Sequence, residues 1–155
     1  MNVIRIDHIT VADLLESPIK MEILNNEIGI KNKIINKYLH RPQLVLAGYM
    51  GLFNYKSIQM IGNTEVFFMN SLSDERRSEI YRNLVSFDIP CFLFSSGLLP
   101  DAEFSELAAE HGIALLITEY DTAKLNLILS EYLDDQFAGQ VVLHGSFVDV
   151  FGYKD

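Results

Sequence analysis

The stretch that decides the fold runs from His40 to Glu65, HRPQLVLAGYMGLFNYKSIQMIGNTE. Pro42 fixes φ and suits the first turn of a short helix. Gly48 and Gly51 permit a tight bend after it. Ser57 to Ile61 is a short apolar run of the kind that makes a buried strand. Gly62-Asn63-Thr64 then turns the chain into a further helix, with Asn63 or Thr64 as its N-cap.

The same alternation continues downstream. Thr64 to Asn70 reads as a short helix carrying Val66, Phe67 and Phe68. Ser73 caps the next, with Asp74 and Glu75 in the first turn, where negative charge is favoured. Its buried stripe is Ile80, Leu84 and Val85. Cys91 to Phe94 is a strand, Ser95-Ser96-Gly97 a small-residue loop, and Pro100-Asp101 opens another helix with Phe104, Leu107 and Ala108 facing inward. Gly112 ends it in the C′ position. Ile113 to Ile117 is a strand, and Thr118 to Asp121 is the loop after it. Asp121 or Thr122 caps a helix with the stripe Leu125, Ile128, Leu129, Tyr132 and Leu133, and Asp134-Asp135 mark its polar exit. Gln140 to Leu143 and Phe147 to Val150 are strand-like. Strands alternating with helices predict an α/β fold: a mostly parallel sheet with right-handed crossovers and helices on both faces.

Upstream, residues 1–39 are less regular. Ile9 to Leu15 reads as a short helix, with Thr10 as cap and Asp13 in the capping-box position. Ser17-Pro18 ends it. Met21 to Leu24 and Lys33 to Ile35 are strand-like, either side of a polar turn at Asn25-Asn26-Glu27 and Gly29. The lysines at 31, 33 and 37 read as solvated. This opening segment is expected to pack against one edge of the sheet.

Composition narrows the function classes. A chain of 155 residues with nearly half of them apolar suits one domain with a substantial core. The net charge of −9 argues against nucleic acid, since binding a phosphate backbone needs a basic surface. No apolar run approaches the length of a membrane span, and the N-terminus lacks a secretory pattern, so no membrane partner is expected. One cysteine, Cys91, cannot form an internal disulfide, which suits a cytoplasmic location. Its apolar neighbours make it a buried thiol rather than a nucleophile.

Three blocks together carry a family resemblance. They are Arg41-Pro42-Gln43-Leu44-Val45-Leu46-Ala47-Gly48-Tyr49, Ile58-Gln59-Met60-Ile61-Gly62-Asn63-Thr64-Glu65, and Val142-Leu143-His144-Gly145-Ser146-Phe147-Val148-Asp149-Val150-Phe151-Gly152. In this order they resemble bacterial HPr kinase/phosphorylase, whose blocks read RP-x-L-x-LAGY, IQ-x-x-G-x-TE and VHG-x-x-VDVYG. The resemblance covers nearly the whole chain but stops before the family's phosphate-binding loop, G-x-x-x-x-G-K-S. It implies an N-terminal α/β domain over residues 1–139, of a fold often likened to the N-terminal domain of the Mur ligases. Residues 140–155 would be a strand stub at the start of the catalytic domain, with an edge suited to pairing in a dimer.

The resemblance further implies a serine kinase that phosphorylates and dephosphorylates the phosphocarrier HPr in bacterial carbon catabolite control. ATP and magnesium would bind in its catalytic domain, where that loop cradles the phosphates. For this chain it implies no enzyme activity and no cofactor of its own. The expected role is regulatory or architectural, with HPr met through the catalytic domain and a homo-oligomer as the assembly.

Candidate site residues follow. His144 is catalytic by the resemblance alone and lacks the rest of a site; a turn or strand-edge histidine is the preferred reading. Ligands in parallel sheets collect at the carboxyl ends of strands. Those ends offer Asn63, Thr64, Ser95, Ser96 and Thr118, which would suit a small anionic ligand such as a nucleotide or sugar phosphate. Ordinary capping and turn chemistry uses the same residues and is preferred. A free-standing binding module built on them is the alternative function. Arg41 is read as a structural clamp, on backbone carbonyls or on Glu65, with ligand contact as the alternative. The four histidines show no metal-ligand spacing and the one cysteine is near none of them, so no metal site is expected. Glu103, Glu106 and Glu110 follow helical spacing and read as a solvated face.

Overall fold

The computed structural model describes residues 2–51, 53–143 and 146–147. The strands are β1 (Asn2–Ile4), β2 (Ile9–Thr10), β3 (Glu22–Ile23), β4 (Lys33–Ile34), β5 (Leu39–His40), β6 (Ile58–Ile61), β7 (Cys91–Phe94), β8 (Ala114–Ile117), β9 (Gln140–Leu143) and β10 (Ser146–Phe147). The helices are α1 (Val11–Leu15), α2 (Gln43–Leu46), α3 (Asn63–Asn70), α4 (Asp74–Val85), α5 (Ala102–Glu110) and α6 (Thr122–Phe137).

Five strands form the main sheet in the order β3-β8-β7-β6-β5. β5, β6, β7 and β8 run parallel, in register at Leu39↔Ile58, Gln59↔Phe92 and Cys91↔Ala114. β3 closes the far edge antiparallel to β8. The middle strands are apolar without interruption because both their faces are covered. Alternate residues serve opposite layers. Ile61, Phe92, Phe94 and Leu115 meet Val45, Met69, Ile80, Leu84 and Phe104 on one face. Ile58, Met60, Leu93 and Leu116 meet Val11, Leu14, Leu125, Leu129 and Leu133 on the other. Helices α2 to α5 therefore supply residues to the first layer, and α1 and α6 to the second. This is the α/β architecture that the alternation predicts.

The opening segment differs from expectation in reaching both edges, through β3 and β5, rather than one. Two residues suffice for each pairing, too few for a strand signal in the sequence. Asn25 and Asn32 fasten the turn between these strands. Asn25 Nδ2 donates to the Ile113 carbonyl and its Oδ1 accepts from Leu115 N–H, at 3.0 and 3.1 Å. Asn32 Nδ2 donates to the carbonyls of Pro90 and Gly112. β2 and β4 pair with each other, away from the main sheet.

Most helix starts match their signals. Thr10 and Asp13 form the capping box of α1, and Ser73, Asp101 and Asp121 cap α4, α5 and α6 through their side chains. Gly112 follows α5 with a left-handed φ of +70°, which glycine adopts without steric cost. Two expectations are corrected. The N-cap of α3 is Gly62, not Asn63 or Thr64. α6 continues through Asp134 and Asp135 to Phe137, because Leu133 still packs on the sheet and Lys37 pairs with Asp134 at 3.1 Å.

β9 lies in the 140–155 stretch and pairs antiparallel with β1, at Asn2↔Val142 and Ile4↔Gln140, with β10 on its other side. The stretch read as a stub thus shares a sheet with the first residues of the chain. β9 offers no free edge for a second copy, since a strand lies along each side of it.

Candidate functional site

The carboxyl ends of β6, β7 and β8 come together where the chain turns into α3, into the β7–α5 loop and into α6. Glu65 is the centre of the polar groups there. Its side chain is fully buried, while that of Arg41 is 37% exposed. One carboxylate oxygen accepts from Arg41 Nη2 at 2.9 Å and from Gly62 N–H at 2.7 Å. The other accepts from Gln43 Nε2 at 2.7 Å. Burial alone would push this carboxyl up. The three hydrogen bonds and the Arg41 charge outweigh it and hold Glu65 below the ordinary glutamate range. Arg41 and Gln43 flank Pro42, so α2 carries both donors onto the first turn of α3. The clamp between Arg41 and Glu65 has this geometry, and Gln43 is its unforeseen third member.

Gly62 has a geometric reason to be glycine. A Cβ there would lie 2.6 Å from Thr122 Oγ1 and 3.3 Å from both Ser95 Oγ and Arg41 Nη2. The hydroxyls of Ser95 and Thr122 are hydrogen-bonded to each other at 2.8 Å. The N-terminus of α6 is thereby tied to the end of β7 beneath the turn into α3.

The strand-end residues proposed for a ligand separate into two groups. Ser95 and Thr118 are buried, and Thr118 Oγ1 donates to the Lys20 carbonyl at 2.8 Å. Asn63 and Thr64 stand exposed in the first turn of α3. The backbone donors of the loops bond to neighbouring strands and loops. Ser95 N–H reaches Ile61 O, Ser96 N–H reaches Tyr120 O, Gly97 N–H reaches Thr118 O and Thr118 N–H reaches Phe94 O, all within 2.7–3.0 Å. Ser96 and Gly97 both adopt left-handed φ to make this lacing. A groove of about 660 Å³ runs beside it, between Lys20, Glu22, Glu119 and Tyr120. Its charges are mixed in sign.

His144 lies outside the described residues. His8 Nδ1 sits 2.6 Å from Asp7, and His111 donates Nδ1–H to the Leu107 carbonyl at 2.9 Å. His40 is half-buried 5.6 Å from the Phe53 ring, and burial lowers its pKa. Among the described residues no three His, Cys, Asp or Glu side chains gather to hold a metal. Cys91 is wholly buried, and burial pushes its thiol up to about 12, far from a reactive thiolate.

With this geometry in view, the comparisons with known proteins are direct. The family described as HPr Serine kinase N terminus matches residues 9–133. The chain belongs to that family. An HPr kinase/phosphorylase of Chlorobium phaeovibrioides is 38% identical over 93% of this chain and 45% of its own length. Another, of Chloroherpeton thalassium, is 40% identical over 86% of this chain and 39% of its own. The chain thus spans less than half the length of these HPr kinase relatives. Among solved structures, the CBS and DRTGG domains of the regulatory region of Clostridium perfringens pyrophosphatase, complexed with the activator diadenosine tetraphosphate, align with a TM-score of 0.53. That alignment covers 86% of this chain and 50% of that one at 16% identity. The likeness to it is one of fold.

The buried clamp of Arg41, Gln43, Gly62 and Glu65 falls within the matched stretch of the HPr kinase N-terminal family. Arg41 and Glu65 were legible in the blocks. Gln43 carries no signal beyond its place after Pro42, and Thr122 was weighed only as a cap. Among the described residues, no helix is long and apolar enough to cross a membrane.

Proposed function

We propose that this chain is the non-catalytic N-terminal part of an HPr kinase/phosphorylase, with a regulatory or architectural role. One observation carries the reading: the likeness runs along 93% of this chain and only 45% of the relative. The chemistry named in the relatives' title then belongs to the remainder of such a protein. In this reading the parent enzyme uses ATP or pyrophosphate to add and remove phosphate on a serine of HPr. A loop of the P-loop type would be needed to hold the nucleotide, and no G-x-x-x-x-G-K-S run occurs in these residues.

The test has two arms. Purified chain incubated with ATP, magnesium and HPr is expected to leave HPr unphosphorylated, as read by mass spectrometry. Deleting the matching segment from the Chlorobium relative is expected to leave HPr phosphorylation measurable while altering its regulation or assembly. Labelling of HPr by this chain alone would overturn the reading, as would a deletion that changes neither regulation nor assembly.

We read the strand-end residues Asn63, Thr64, Ser95, Ser96 and Thr118 as structural. Their loops' N–H groups are bonded to neighbouring carbonyls, and a phosphate would need such donors free. A thermal-shift series with ATP, a sugar phosphate and inorganic phosphate is expected to leave Tm unchanged. A stabilising shift would support the anionic-ligand reading instead, since a ligand that binds only the native state must raise Tm.

A further inference from the structure

α3 is apolar on more than one side. Glu65 and Met69 face the core, yet Val66, Phe67 and Phe68 carry apolar surface around the rest of the helix. Phe67 is 79% exposed. A helix that is apolar all round is one covered from more than one direction. The neighbours extend the surface. The Gln43–Glu65 bond holds α2 alongside α3, and there Leu44 is 60% exposed. On the other flank Val66 and Asn70 share a cleft of about 110 Å³ with Leu99, itself 64% exposed. Single exposed apolar side chains are ordinary on a protein surface. Large ones on three adjoining elements mark a contact face.

Charge narrows the occupant. Two copies of a chain with net charge −9 repel wherever they present that charge. The charged groups bordering α3 are paired. Arg41 binds Glu65, and Arg76, which lies against Gly48 at the end of α2, binds Glu79. Arg77, which donates to the carbonyls at the end of α3, binds Asp74 and approaches Asp101. A basic partner gains little from so neutral a border, whereas an identical copy meets no repulsion there. We propose that the α2–α3 face is self-complementary, and that two copies of the chain pair across it about a two-fold axis with Phe67 at its centre. The proposal does not depend on the kinase reading.

Sedimentation velocity on the 155-residue chain tests it, over about 1–500 μM. The wild-type chain is expected to pass from monomer to dimer across that range. Phe67→Glu is expected to weaken association by at least about tenfold, as for a central contact residue. Its melting temperature at the dilute end should match wild type, because Phe67 buries little within the monomer. Leu127→Glu, which adds the same charge at a 58% exposed site on α6, is expected to leave association unchanged. A wild-type chain that stays monomeric throughout overturns the proposal and leaves the face to a different partner. Undiminished pairing of Phe67→Glu, or equal weakening by Leu127→Glu, overturns it as well.

Discussion

Phe104→Ala is expected to lower the unfolding free energy by about 3–5 kcal/mol, the range for truncating a buried phenylalanine. Phe104 is buried on the inner face of α5. Its ring meets those of Phe92, Tyr81 and Phe94 edge-on, with centroids 4.8, 5.0 and 5.9 Å away. Such pairs add about 0.5–1.5 kcal/mol each beyond the area they bury. One side chain therefore joins α5 to α4 and to β7. The cavity it leaves cannot close readily, because the strands beneath it are held in register on both sides. For a domain of this size each kcal/mol moves Tm by about 2–4 °C, so a fall of roughly 6–20 °C is expected. Urea unfolding at unchanged m-value measures the loss directly. A variant that melts with the wild type would show that α5 is not anchored through this ring.

The parts of this fold legible in the sequence are those fixed by near neighbours. β6, β7 and β8 are uninterrupted apolar runs, and covering a strand on both faces requires just that. Ser73, Asp101 and Asp121 cap helices through bonds to N–H groups three residues on, so the signal and its effect lie in one window. The cap of α3 is different. Asn63 and Thr64 satisfy the local pattern, but Glu65 bonds back to Gly62 and is itself held by Arg41 and Gln43, 24 and 22 residues earlier. Thr118 likewise donates to a carbonyl 98 residues away. No window contains both partners of such bonds. The two-residue edge strands β3 and β5 are set by the strands they join, not by their own composition. Arg41 and Glu65 could be singled out only because their blocks resemble a family, and the pattern there says nothing of Gln43. The exposure of Phe67 is also beyond periodicity, which finds the buried stripe of a helix but not a second covered side.

Glu65→Ala is expected to cost about 2–4 kcal/mol, more than Arg41→Ala, although the two residues form one ion pair. The asymmetry follows from what each change strands. Arg41 is 37% exposed, so a guanidinium left without Glu65 turns to water, and the pair itself is discounted accordingly. The Gly62 N–H and the Gln43 amide have no such recourse. Removing the carboxylate leaves a buried backbone donor unsatisfied, about 1–3 kcal/mol, and an uncapped helix start, about 1 kcal/mol. Arg41→Ala leaves Glu65 with Gln43 and Gly62 still donating. The charge is tested by pH. A carboxyl held below its ordinary value of 4.5 contributes stability that is complete above that value and is lost as pH falls through the folded-state value. Glu65→Gln keeps the shape and removes the charge. Its deficit against wild type in urea unfolding is expected to hold from about pH 7 to about pH 5 and to narrow below that. An equal deficit at both ends of the titration would assign the clamp to hydrogen-bond geometry alone. A larger loss for Arg41→Ala than for Glu65→Ala would move its centre from the carboxylate to the guanidinium, and with it the reason for Gly62 at the head of α3.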